Sequence, residues 1–168
     1  GTRIEQVVLL PILGINTAII SIISQNFGAK NFDRIKETYF TAIKYSFIIM
    51  ITAGAIVFTS ADYITSVFSD DPEVIQYGTK YLKISAFVLP AYPIFFLSNG
   101  FFMALKKSEN AMISNFFRNV LNPIVVFYIA KYISASFNTF FWIWVGINWF
   151  FSISYLLIII YYFRSKLE

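Results

Sequence analysis

Four polar residues recur at helical spacing in an otherwise apolar stretch. Asn115, Arg118, Asn119 and Asn122 stand at i, i+3, i+4 and i+7. On one α-helix that spacing gathers three amides and a guanidinium onto a single face. Inside hydrocarbon such a face has two uses. It can line a water-filled path for a solute, or it can bond to a neighbouring helix while the arginine snorkels to an interface. Asn99 and Tyr92 lie in the preceding apolar segment and join the candidates for a substrate pathway, with Pro90 and Pro93 beside them. Each proline removes a backbone donor and bends a helix, leaving carbonyls that a neighbour, water or an ion must satisfy.

Carboxylates are scarce where coupling chemistry would need them. A membrane acid can bind a proton or a sodium ion and change charge with it. The nearest candidate is Glu5, at the start of the first apolar run and close to Arg3, with which it is expected to pair. The chain has no cysteine and no histidine. Thiolate chemistry is therefore excluded, the commonest base and metal ligand is missing, and no enzymatic site, metal site or cofactor is expected.

The elements that must position these residues follow from composition. Of 168 residues, 58% are hydrophobic and only 13% charged, about half the charge of an ordinary soluble domain. Apolar runs long enough to cross about 30 Å of hydrocarbon separate the charged stretches. The expectation is an all-α integral membrane protein, one membrane domain over 1–168. Its five spans fall at about 7–29, 39–61, 84–105, 110–130 and 138–163. Ser69-Asp70-Asp71-Pro72-Glu73 reads as a helix start, and that helix is expected to continue through Tyr77 and Tyr81 into the third span.

Charge asymmetry orients the bundle. With the start outside, Lys30, Arg34, Lys36, Lys106, Lys107, Arg118, Arg164 and Lys166 fall at or near the cytoplasmic face. Arg3, Lys80, Lys83 and Lys131 fall outside, and Lys44 sits at the inner edge of the bilayer. The net charge of +4 flanks apolar runs instead of forming one face, so no nucleic acid partner is expected. Gly14, Ala18, Ser21 and Gln25 recur at helical spacing in the first span and read as a packing seam.

Two loops carry more than composition. Ser24-Gln25-Asn26-Phe27-Gly28-Ala29-Lys30, followed by Asp33-Arg34, resembles the Gln-Asn-x-Gly-Ala…Arg motif that closes the second helix of each lobe in the multidrug and toxic compound extrusion (MATE) transporters. Arg3-Ile4-Glu5-Gln6, with Pro11 and Gly14, is similar to the entry to that helix. The run from Phe68 to Ile75, then Tyr81-Leu82 and Pro90, resembles the family's outer loop and next helix. Ala104-Leu105-Lys106-Lys107 and Arg118-Asn119 extend the likeness.

The resemblance implies half of a two-lobe, twelve-helix transporter: the C-terminal lobe without its first helix, its cavity completed by an N-terminal lobe. The opening on Gly1, with a span beginning almost at once, agrees with sequence missing upstream. It further implies a multi-pass protein of the bacterial cytoplasmic membrane that exports amphipathic, often cationic, drugs by antiport with sodium or protons through alternating access. Within the motif, Gln25, Gly28, Ala29 and Arg34 would form the cytoplasmic loop. Gly28 would permit its tight turn and Gln25 would bond across helices. No aspartate lies between Lys83 and Glu109, where some branches carry a coupling acid. The main coupling site is therefore expected outside this chain. A lipid-linked saccharide flippase of the same superfamily and a non-transporting membrane subunit remain alternatives.

Overall fold

The computed structural model describes residues 2–132 and 136–166, which contain helices and no strand. Three helices are long and apolar enough to cross a membrane. They are α1 (Thr2–Gly28), α2 (Phe32–Phe68) and α7 (Phe137–Lys166). Between α2 and α7 lie α3 (Pro72–Ser85), α4 (Ala91–Ala104), α5 (Ser108–Phe116), a π-helical turn over Phe117–Leu121, and α6 (Asn122–Tyr132).

Two of the five expected spans are therefore not continuous α-helices. The third is interrupted: α3 stops at Ser85 and α4 begins at Ala91. In between, Phe87 N–H bonds Ile84 O, Val88 N–H bonds Ser85 O and Ala91 N–H bonds Val88 O, each three residues back. This tightened turn ends on Pro90, which has no N–H to give. The fourth span is widened, since Asn122 N–H reaches five residues back to Phe117 O. The cause is local. Pro123 cannot donate to Asn119 O, and its ring would clash with that carbonyl in a regular helix.

The helix start at 69–73 forms as its residues dictate. Asp71 accepts from Glu73 N–H at 2.8 Å and Pro72 opens α3. α1 and α4 both end on lysines with left-handed backbone, Lys30 (φ 56°) and Lys106 (φ 58°). Beyond each, an N–H returns five residues, from Asn31 to Asn26 O and from Lys107 to Phe102 O. Gly28 was expected to make the first of these turns, but it remains helical, and no glycine has positive φ among the described residues.

α4 forms the centre, with 12 of its 14 residues buried. Ile19, Ile23, Tyr39, Phe95, Phe101, Phe102, Ile159 and Phe163 from α1, α2, α4 and α7 form one core. Ile12, Met50, Val57, Leu82, Val88, Leu89, Tyr92 and Val145 form a second around the break. Tyr39 Oη and Ser98 Oγ share a buried hydrogen bond of 2.8 Å. Among the described residues Gly14, Ala18, Ser21 and Gln25, the expected seam, are exposed, and α1 packs through Ile12, Ile19 and Ile23. Gln25 Nε2 donates to Ser21 Oγ within its own helix, not across helices.

Candidate functional site

The amide of Asn115 donates to Asn99 Oδ1 at 3.2 Å, joining α5 to α4. Each amide also donates to its own helix, Asn115 to Ala111 O and Asn99 to Phe95 O. This pair sets the antiparallel register of the two elements. Moving along both, Arg118, in the widened turn, comes level with Phe96 on α4.

Arg118 confirms the register. Its guanidinium lies 4.1 Å from the Phe95 ring centre, 4.8 Å from Tyr92 and 5.4 Å from Phe96. Tyr92 is a turn nearer the break than Phe96, so the head group points away from the Lys106–Lys107 loop. The snorkelling anchor is therefore not what forms. Three ring faces hold the cation instead, each worth about 0.5–2 kcal/mol depending on desolvation. They offset a cost of about 2.5–3.5 kcal/mol for an arginine at mid-membrane depth.

Glu5 reaches the same neighbourhood from α1. Its Oε1 accepts from Tyr81 Oη at 2.6 Å. The Tyr92 phenol lies within electrostatic reach of both the Glu5 carboxylate and the Arg118 guanidinium. Glu5 therefore holds Tyr81 before the break and faces Tyr92 after it. The side chain of Arg3, its expected partner, lies outside the described residues. Of the remaining stripe, Asn119, next to Arg118 in the wide turn, is exposed. Asn122 is buried, with no hydrogen-bond donor to its Oδ1 among the described residues.

The carbonyls freed around Pro90 find partners on α7. Trp149 Nε1 donates to Phe87 O at 2.9 Å and Ser152 Oγ donates to Ala91 O at 3.2 Å. Gly54 permits α2 to meet the same turn, since a Cβ there would stand 2.9 Å from Ala86 O. Pro93 sits buried in the first turn of α4. An apolar crevice of about 540 Å³ opens against the break, lined by Gly54, Phe58, Phe87, Pro90, Trp142 and Trp149. Apart from Pro90 it contains none of the polar candidates. Gln25, Gly28, Ala29 and Arg34 stand together at the opposite end, exposed, with Arg34 paired to Glu37 at 2.7 Å.

Sequence reasoning missed Tyr81, Phe95, Phe96, Trp149 and Ser152. Nothing local distinguishes them from other aromatics and serines, since their partners lie far away in the chain. Asn16 was missed too: its buried Oδ1 packs against the backbone of Gly100, where a side chain would collide. Among the described residues no group of three acids could hold a metal ion.

Comparison with known proteins agrees with this architecture. The chain is 23% identical over 144 residues to the probable multidrug resistance protein YpnP of Bacillus subtilis, covering 86% of this chain and 30% of that protein. It is 23% identical over 135 residues to the FAD transporter of Shewanella oneidensis, covering 80% of this chain and 30% of the other. The fold matches a MOP superfamily transporter from Pyrococcus furiosus, for which a binding pocket of reverse polarity suggests a different function. That match has a TM-score of 0.89 and 23% identity, over 98% of this chain and 38% of the other. The chain thus spans about a third of the length of these proteins. The MatE family profile matches residues 1–129, so the chain belongs to the MatE family of transporters.

Proposed function

We propose that this chain is half of a secondary active efflux transporter in the bacterial cytoplasmic membrane. It exports bulky amphipathic compounds by antiport with sodium or protons through alternating access. A second lobe completes the cavity, and the first residues of α1 lie outside. The carrying observation is the joining of two distorted spans: Asn115–Asn99 and Arg118 over Tyr92 tie the span widened before Pro123 to the helix that follows the Pro90 turn. Interrupted helices at mid-depth expose backbone groups and permit bending, which a carrier needs and a passive anchor does not. Multidrug export is supported by the likeness to a probable multidrug resistance protein.

The charge of the solute is the open element of this reading. Organic cations are the class the family resemblance implies, yet the fixed charge at mid-depth is positive. The likeness to a FAD transporter points the same way as Arg118. A lipid-linked saccharide flippase would need more cations around a pyrophosphate. Lys44, exposed on α2, stands outside the Arg118 cluster.

Ethidium efflux from cells expressing the full-length protein tests the proposal. The wild type should export the dye, and collapse of the sodium or proton gradient should abolish export. Asn119→Ala combined with Asn122→Ala, at matched expression, should slow it several-fold. Failure to export ethidium or other amphipathic dyes would remove the multidrug reading.

A further inference from the structure

We propose that Arg118 and the aromatic ledge beneath it form a recognition site for the carboxylate or phosphate of an amphipathic aromatic solute. The inference rests on the transporter reading for why a solute comes here, but its geometry and its test concern binding alone.

The argument begins with what the guanidinium lacks. Two ion pairs occur among the described residues, Arg34–Glu37 and Lys83–Asp62, and neither includes Arg118. Glu5, which reaches this neighbourhood from α1, accepts the Tyr81 hydroxyl. A guanidinium carries five N–H donors in a planar fork. Ring faces attract its charge but supply no in-plane oxygen. Tyr92, over whose ring it lies, carries a single phenol oxygen. The fork is thus held in place with most of its donors unspent, which suits a bidentate oxyanion.

Its direction and surroundings agree. The head points toward the broken helix and away from the lysine loop, so it does not serve the headgroups. Tyr92, Phe95 and Phe96 fix it at 4.1–5.4 Å, leaving little rotamer freedom to lose on binding. The rings of Tyr92, Phe95 and Phe96 give the apolar part of such a solute a surface next to the cation. A solute bearing a positive charge gains nothing here, because like charges repel strongly where water is thin.

The experiment is a fluorescence titration of the complete, detergent-solubilised protein with flavin mononucleotide and with riboflavin. These probes share one ring system and differ by a phosphate. The mononucleotide should bind about tenfold tighter or more. Arg118→Gln should bring the two affinities together, and Arg118→Lys should keep part of the difference. Equal binding of the two by wild type would overturn the proposal. So would a preference that survives Arg118→Gln, or binding of neither probe by protein with normal thermal unfolding. A purely structural arginine would move both affinities alike, and Arg118→Lys covers the case in which Arg118→Gln fails to fold. Ethidium export lost while the flavin preference stands would remove the multidrug reading alone; export with no flavin preference would remove this one alone.

Discussion

A lysine in left-handed backbone closes each of the two turns after α1 and α4, where glycine would be easier. Forcing an L-residue with a Cβ into that region costs roughly 1–2 kcal/mol. Lys30 and Lys106 accept it at φ 56° and 58°, and in return place a positive charge at each turn. Lys30→Gly and Lys106→Gly should therefore each raise the thermal stability of the solubilised protein, by about 1 kcal/mol. Gly28→Ala should be neutral or stabilising, because Gly28 is helical and a Cβ there meets nothing within 4 Å. Thermal unfolding of the three variants decides it: a destabilising Gly28→Ala would put the turn back on the glycine. The motif around Gly28 was legible as a helix end, but not which residue bends. That choice depends on where the five-residue return bond falls, while residue type alone favours Gly28. The asparagine stripe shows the same limit. Arg118 and Asn119 both lie in the turn that widens before Pro123, with Asn119 exposed and Asn122 buried, and a period of 3.6 cannot express that widening.

At the scale of elements, the break between α3 and α4 depends on a partner 62 residues away. Pro90 makes a bend readable, but a bare bend would leave Phe87 O without a donor in hydrocarbon. Trp149 supplies one at 2.9 Å. An unsatisfied buried carbonyl costs about 1–3 kcal/mol. Trp149→Phe should therefore destabilise the protein by more than Trp142→Phe. The Trp142 ring also packs on Phe87, at 5.3 Å between centres, and no backbone hydrogen bond is recorded for it. Equal losses in thermal unfolding would mean that the indole donor does not hold the turn. Local signals elsewhere sufficed. The Asp71 cap and Pro72 fix the start of α3 within three residues, and apolar length fixes α1, α2 and α7. What could not be read was which tryptophan faces the break, since α7 is apolar on every side and its periodicity selects no face.

At the scale of the whole molecule, the two ion pairs bracket α2. Arg34–Glu37 marks one end and Lys83–Asp62 the other, and Glu37 and Asp62 lie 25 residues apart. At 1.5 Å per residue that is about 38 Å, slightly more than the hydrocarbon core and close to the full bilayer with its headgroups. Charged pairs 2.7 and 2.8 Å long, with side chains 37–68% exposed, belong in water or headgroups. The helix between them then has only Lys44 to accommodate, about 10 Å beyond Glu37 and within reach of that interface by snorkelling. The Lys30 and Lys106 turns lie at the Arg34 end, because α1 and α4 both run toward it, and the α2–α3 turn lies at the other. The excess of positive charge at the Arg34 end supports the proposed orientation, with that end toward the cytoplasm. In a cysteine-free background, Ser69→Cys in the full-length protein should react with a membrane-impermeant maleimide on intact cells. Lys30→Cys and Lys106→Cys should react only after permeabilisation. The reverse pattern would invert the bundle, and all three reacting on intact cells would show that the ion pairs do not bracket a bilayer. Because the label reports sidedness without requiring transport, it tests the orientation independently of what the protein carries.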